Sequence, residues 1–240
     1  MTLDLCIPAY NEAPIIEETL RIVAAALEKG GFSGWRITVV DNGSKDGTGA
    51  VVQAFPDSRV SLLRIETRGK GAAIRAAAEC SSADMFGFID ADLSASPADI
   101  PTLAAPVENG SADVAVGSRL LDPKRVSRSF ARTLSSRVFN FLRRVVLGGH
   151  VIDSQCGLKL MDRLGVDVLV RCHEDTWFLD VEFLARAERA GLRVVEIPIG
   201  WNEEHYRGRP SKLSVWRDGF GALKTFWCIR ENLRIKKTYG

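Results

Sequence analysis

Two carboxylates one residue apart, Asp90 and Asp92, follow the apolar run Met85-Phe86-Gly87-Phe88-Ile89. A buried strand that ends in paired acids carries fixed negative charge to the rim of a sheet, and in α/β folds that rim is where ligands bind. Hard carboxylate oxygens placed there select Mg2+ or Mn2+, and such an ion completes its shell with water and substrate phosphates. Asp-x-Asp also occurs in plain surface turns, so the pair needs company before it reads as a metal site.

Other strand ends supply that company. Tyr10-Asn11-Glu12 follows a short strand over 3–7 that Pro8 stops, and Asp41-Asn42-Gly43-Ser44 follows a strand over 36–40. Asp41 is either the first residue of an Asx-turn or a carboxylate for a nucleobase or ribose. Gly69-Lys70-Gly71 opens an alanine-rich helix that runs to Cys80. It is either an ordinary helix start or a place where backbone approaches a nucleotide with Lys70 near phosphate, and it lacks both the P-loop and the dinucleotide-binding spacing. Arg119 leaves a strand over 112–116 through Gly117-Ser118.

Further strands over 60–65 and 85–89 and helical patterns from Pro14 to Leu27, from Asp46 and from Ser96-Pro97 complete the first half. Ser96 reads as an N-cap and Pro97 as the first helical residue. Strict alternation of strand and helix predicts an α/β fold, with a mostly parallel central sheet flanked by helices on both faces. The clusters then converge on one carboxyl edge, as a nucleotide-sized site requires.

The second half is different. A helical pattern over 125–147 carries Arg125, Arg128, Arg132, Arg137, Arg143 and Arg144, with Phe130, Leu134, Val138, Phe139, Phe141 and Leu142 as an apolar side. Such a charge run is either a solvated face or a site for phosphates or an anionic membrane, and the interleaved aromatics favour an interfacial helix over a nucleic-acid arm. Asp180 and Glu182 lie two apart in a helical pattern and cannot share a face, which predicts one buried and one exposed acid. A last strand over 194–198 and a polar stretch over 205–212 lead to an amphipathic helix with Phe220, Leu223, Phe226, Trp227 and Leu233.

The chain has 240 residues, 46% hydrophobic and 26% charged, with net charge +2. These values suit one globular domain over 1–240, with the nucleotide-sized site in its first half (1–120) and the basic amphipathic stretch in its second (121–240), and that interleaved stretch together with the small net charge argues against nucleic acid as a partner. The five cysteines form no C-x-x-C pair, and their odd number and wide spacing argue against a zinc site or disulfide framework and fit a reducing compartment. Cys6 and Cys80 read as core thiols, and His150, His173 and His205 show no ligand spacing. No leader pattern opens the chain and no run approaches the ~18–20 apolar residues of a membrane span, so the expectation is peripheral contact only.

The ordered set Ile7-Pro8-Ala9-Tyr10-Asn11-Glu12, Asp41-Asn42-Gly43-Ser44, Arg68-Gly69-Lys70-Gly71-Ala72, Asp90-Ala91-Asp92 and Gly117-Ser118-Arg119 resembles the inverting family-2 glycosyltransferases of GT-A fold. Within that family the chain is most similar to the polyprenyl-phosphate glycosyltransferases, the dolichyl-phosphate glucosyltransferases above all. The likeness rests on Phe130-Ala131-Arg132-Thr133-Leu134, Asp153-Ser154-Gln155-Cys156-Gly157-Leu158-Lys159-Leu160, Trp177-Phe178-Leu179-Asp180-Val181-Glu182 and Ser211-Lys212-Leu213. Mannosyl-transferring relatives share the first-half motifs. Many relatives carry a second Asp where Asn42 stands, which implies altered base recognition. Relatives also carry membrane anchors, so contact here would fall to an amphipathic surface or a membrane-protein partner.

The resemblance implies transfer of a hexose, from UDP-glucose ahead of GDP-mannose, to a polyprenyl or dolichyl phosphate on the cytoplasmic membrane face. Pro8, Tyr10, Glu12, Asp41, Lys70, Asp90, Ala91 and Asp92 would line the donor, with Asp90 and Asp92 on the Mg2+ or Mn2+. Arg119 and Arg132 would act with Asp92 at the catalytic centre and gather phosphates, joined by Arg207, Arg209 and Lys212 from a loop. A lipid phosphate is largely dianionic at neutral pH, so it needs no strong general base. Two competing readings remain: a hydroxyl acceptor served by Asp180 or Glu182 as base, and a non-catalytic nucleotide-sugar-binding module.

Overall fold

The computed structural model describes residues 1–203 and 215–235, with side chains in the last helix described over 221–233. Arg207, Arg209, Lys212, His205 and the side chain of Phe220 lie outside the described residues.

Five parallel strands and their crossovers begin the chain: β1 (Thr2–Ala9), α1 (Ile16–Lys29), β2 (Gly34–Asp41), α2 (Thr48–Gln53), β3 (Val60–Arg64), α3 (Lys70–Cys80), β4 (Met85–Phe88), α4 (Ile100–Glu108) and β5 (Val114–Ser118). Then follow β6 (Val126–Ser127), α5 (Phe130–Leu147), β7 (Lys159–Asp162), α6 (Arg163–Leu169), α7 (Leu179–Arg189), β8 (Val194–Pro198), β9 (Trp201–Asn202) and α8 (Val215–Ile235). The main sheet has seven strands in the order β3-β2-β1-β4-β7-β5-β8, and β6 pairs with β9 separately. The expected mostly parallel sheet with helices on both faces is present. β7 runs antiparallel between β4 and β5, so both halves of the chain contribute to one sheet.

The period-two alternation of β1 explains the two cores. Leu3, Leu5 and Ile7 face Ile16, Leu20, Val23 and Leu27 of α1 and Leu103 of α4. Cys6 points the other way, toward Ile74, Phe86, Phe88, Phe183 and Leu184. A third, smaller cluster joins Phe178, Val181 and Ala185 to Ala222, Phe226 and Ile229 of α8.

Several expectations need correction. Pro8 does not stop β1, because the last β1–β4 pair is Cys6 with Phe88 and a proline beyond it costs little. The helix expected over 125–147 starts only at Phe130, where the Ser129 hydroxyl accepts from Arg132 N at 3.3 Å as an N-cap. Before it, Val126 and Ser127 are drawn into the small sheet. Ser96 gives no side-chain cap and precedes a single 3-10 turn, Pro97–Asp99. Cys80 is exposed, two residues past buried Ala78 and so on the opposite side of α3. The strand β7 had no counterpart in the expectations, because Lys159 interrupts its apolar pattern.

Candidate active site at the carboxyl edge

The loops after β1 and β2 are stitched together by short polar side chains. Asn11, in the left-handed region at φ 54°, donates its N–H to Ser44 Oγ at 2.9 Å and accepts from Lys45 N at 2.9 Å. Glu12 N donates to Thr48 Oγ1 at 2.9 Å. Asp41 is buried, with Oδ1 accepting from Ser44 N at 2.9 Å and Oδ2 3.4 Å from Arg64 Nε. Asp41 thus braces the turn 41–44 through Oδ1, and that turn fixes this wall while leaving the ligand role of the carboxylate open. Tyr10 stands at the rim with the Arg68 guanidinium 5.8 Å from its ring centroid.

Asn42 has a task the sequence did not disclose. Its amide nitrogen donates to Gly69 O at 2.5 Å, and its amide oxygen accepts from Gly69 N at 3.2 Å. One neutral side chain therefore ties the end of β2 to the start of α3, a pairing that an ionised Asp, acceptor only, cannot make. Gly69, at φ 136°, is needed for close approach, since a Cβ there would stand 1.9 Å from Asp175 O.

Lys70 opens α3 and turns inward. Its Nζ lies 2.6 Å from Asp90 Oδ1 and 3.8 Å from Asp180 Oδ2, while Lys159 Nζ, fully buried, donates to Asp180 Oδ1 at 2.6 Å and to Cys156 O at 2.6 Å. The result is an alternating chain Asp90–Lys70–Asp180–Lys159 that leads from the site into the core. Burial opposes the charge on Lys70, but Asp90 and Asp180 outweigh it and hold the amine firmly protonated. Burial raises the Asp90 carboxyl, with Lys70 pulling the other way and Asp92 adding to the rise. Gly157 makes room for this acid, because a Cβ there would stand 1.9 Å from Asp90 Oδ2.

Asp180 and Glu182 are both buried, contrary to the expectation of one exposed acid. The first turns of α7 are enclosed on every side, and each acid has its own cation. Glu182 pairs with Arg186 at 2.6 Å and accepts from His173 N and Glu174 N at 2.8 Å each.

Asp92 is exposed, and its Oδ1 accepts from Ser94 N at 3.0 Å. The backbone is fixed on its N-terminal side, where Ala91 O accepts from buried Thr19 Oγ1 at 2.7 Å. No three His, Cys, Asp or Glu side chains gather around an ion position among the described residues. Two carboxylates at a sheet edge, one of them open to solvent, do fit a hard divalent cation whose remaining ligands come from a diphosphate.

The arginines divide more sharply than their spacing indicated. Arg119 is buried and bidentate on Asp153, with Nε to Oδ2 at 2.7 Å and Nη2 to Oδ1 at 2.6 Å, and its guanidinium stacks 4.7 Å from the Trp201 ring. It is a fixed part of the wall rather than a mobile clamp. Asp153 is positioned in turn by Glu196, whose carboxylate accepts from Ile152 N and Asp153 N at 2.6 and 2.8 Å. Arg132 is exposed and donates to Glu203 Oε2 at 3.0 Å. Arg125 pairs with Asp99, and Arg143 is fully buried, donating to Val151 O at 2.5 Å. Arg143 is thus off the exposed basic face that Arg137 and Arg144 form, and Arg125, though exposed, lies before α5 begins. Arg128, which nothing in its spacing singled out from its neighbours, is buried beside Arg119 and Arg132.

The apolar side of α5 splits as well. Phe139 and Leu142 pack inward against Trp177 and Phe226. Phe130, Leu134, Val138, Phe141 and Val145 stand at 50–81% exposure along one stripe, beside Leu223 and Trp227 of α8 at 44% and 56%.

Residues 4–169 match the family model for glycosyl transferase family 2. The chain is 32% identical over 98% of its length to glycosyltransferase AglD of Haloferax volcanii, of which it covers 38%. It is 34% identical over 82% of its length to a dolichyl-phosphate beta-glucosyltransferase of Trichomonas vaginalis, of which it covers 64%. The chain therefore spans less than two thirds of these curated relatives. Among solved structures, the glucosyl-3-phosphoglycerate synthase of Mycobacterium tuberculosis, crystallised with Mn2+ and UDP-glucose, shares the fold at TM-score 0.69 and 21% identity, over 94% of this chain and 78% of that one.

Proposed function

The chain belongs to glycosyl transferase family 2, and from that premise we propose that it transfers a hexose from a nucleotide sugar to a polyprenyl phosphate. The observation that carries the reading is the carboxyl edge itself. There the Asn11–Asp41–Asn42–Lys70 wall stands beside Asp90 and exposed Asp92, within a chain whose curated relatives include dolichyl-phosphate glucosyltransferases. Pro8, Tyr10, Glu12, Asp41 and Lys70 orient the nucleoside and the donor phosphates. Asp92, with Asp90, holds a divalent cation that, when bound, offsets the charge growing on the departing diphosphate.

An acceptor phosphate attacks as a dianion, so the site's work is positioning and electrostatic stabilisation. The buried acids support this choice over a hydroxyl acceptor. Asp180 is bound by Lys159 and Glu182 by Arg186, so neither is a free proton acceptor. The test supplies the protein with Mn2+ or Mg2+, a polyprenyl phosphate, and labelled UDP-glucose or GDP-mannose in parallel. Label should enter the organic phase from UDP-glucose, and transfer to a water-soluble hydroxyl acceptor instead would sink the proposal.

No helix among the described residues is long and apolar enough to cross a membrane. The exposed stripe of α5, flanked by Arg137 and Arg144, supports peripheral docking on an anionic membrane, with or without a membrane-protein partner. The five free thiols support its cytoplasmic face. Vesicles containing anionic lipid should carry the protein upward on flotation at low salt. Binding should weaken at about 1 M salt, where the screening length falls to about 3 Å, and Phe141→Asp should weaken it at any salt. Equal flotation with neutral and anionic vesicles would contradict the electrostatic part.

A further inference from the structure

Arg128 is a buried cation with two unsatisfied donor nitrogens. Its side chain is 4% exposed, and Nη2 donates to Ser136 Oγ at 2.9 Å. Nε and Nη1 are buried without a hydrogen-bond partner. The nearest carboxylate, Glu203, stands off at 3.5 Å from Nε and gives its better contact to Arg132, at 3.0 Å. Burial and the neighbouring charge of Arg119 both press the Arg128 guanidinium below its usual pKa. A buried guanidinium with open N–H groups is costly, and its planar fork suits the oxygens of a phosphate.

The local charge count points the same way. Arg119, Arg128 and Arg132 face Asp153 and Glu203, and Asp153 is taken up by Arg119 through both its oxygens. One carboxylate is left to serve two arginines. Glu203 follows β9 directly and is anchored through its backbone, N–H to Ser127 O at 3.2 Å, so its side chain can leave without breaking that bond. The N-terminus of α5, at Phe130, adds partial positive charge next to Arg128.

We infer that Arg128 joins Arg132, to which the resemblance already gives a phosphate, in one pocket for a phosphomonoester dianion, and that Glu203 fills this pocket as an internal competitor which the incoming phosphate displaces. This rests on the proposed phosphate acceptor for the identity of the natural ligand, but the pocket itself rests on the arginine geometry. A dianion with three acceptor oxygens satisfies Nε and Nη1 of Arg128 together with Arg132, which a single carboxylate at these distances does not. Glu203 keeps two arginines from facing each other uncompensated while the pocket is empty, and it sets a threshold that weak anions do not cross. Arg128 is a binding residue in this scheme, and Glu203 a positioning residue.

The test uses the whole protein, isothermal calorimetry, and three probes: inorganic phosphate, a short-chain isoprenyl phosphate, and UDP. Glu203→Gln keeps the size and removes the charge. It should bind phosphate and isoprenyl phosphate about tenfold more tightly, the factor of one charge-assisted hydrogen bond no longer contested, with UDP affinity unchanged. Arg128→Gln should weaken both phosphates and leave UDP unchanged, and that unchanged UDP binding also certifies the fold. Inorganic phosphate should compete with isoprenyl phosphate. Unchanged or weaker phosphate binding by Glu203→Gln would overturn the inference and leave Glu203 a structural cap. Competition of phosphate with UDP alone would also overturn it, because the pocket would then belong to the donor. Tighter phosphate binding by the variant, in a protein that glycosylates only hydroxyl acceptors, would uphold the pocket and defeat the proposed acceptor.

Discussion

Asp92→Ala will lower transfer by about 10³-fold while leaving the fold intact. The two halves of this expectation come from different observations. Asp92 is exposed and its carboxylate accepts from Ser94 N, so its removal costs little stability. It is also the more accessible of the two carboxylates proposed for the cation, and Lewis-acid stabilisation of a developing phosphate charge is worth several kcal/mol, with about 1.4 kcal/mol per tenfold. Turnover with and without chelator separates the causes. The parent protein should lose its activity on chelation, whereas the residual activity of the variant should be the same either way. A variant within about tenfold of the parent would refute the assignment of Asp92 to the cation.

Asp153→Ala acts on stability. It strips a buried guanidinium of its partner, and breaking such a pair costs about 3–5 kcal/mol. The geometry justifies the upper part of that range, because Asp153 accepts from Arg119 Nε, Nη2 and backbone N at 2.7, 2.6 and 2.9 Å. Burial raises the Asp153 carboxyl, yet the Arg119 charge and its hydrogen bonds outweigh it and hold the group below the usual carboxylate range. The native-state value is therefore depressed relative to the unfolded value of about 3.9. The stabilisation is complete above that unfolded value and is lost as pH falls through the native one. Denaturant midpoints measured from neutral to acid pH should fall steeply for the parent below about pH 4 and more gently for Asp153→Asn. Replacing Arg119 and Asp153 together by apolar residues should recover part of the loss of either single change. A single variant that loses less than about 1 kcal/mol would show that the pair is not a structural fixture.

The fold was legible where its signals are local. A run of apolar residues followed within a few positions by Asn-Glu, Asp-Asn-Gly, Gly-Lys-Gly or Asp-Ala-Asp marks a strand end without reference to distant residues, and four parallel strands place those ends on one edge. What escaped depends on partners far apart in sequence. Lys159 hides β7 because a lysine in a central strand is tolerable only with Asp180 above it, 21 positions later. Asp180 and Glu182 were assigned opposite fates by helix periodicity, which presumes one solvent face, but α7 is enclosed over its first turns by the sheet and α8. The arginine run shows the same limit in reverse. Spacing lists Arg128, Arg132 and Arg143 as equals, whereas the packing of α5 buries the first and third and leaves the second half-exposed.

The link between Asn42 and Gly69 joins two loops without using a charge. An amide has no proton to lose or gain between mild acid and mild alkali, and its attraction for a peptide group is not weakened by dissolved ions as an attraction between opposite charges is. The Asn42–Gly69 contact between the end of β2 and the start of α3 is therefore itself indifferent to acidity and to ionic strength. That one contact stays constant in conditions under which the ion pairs beside it, Arg64 with Asp41 and Lys70 with Asp90, gain or lose strength.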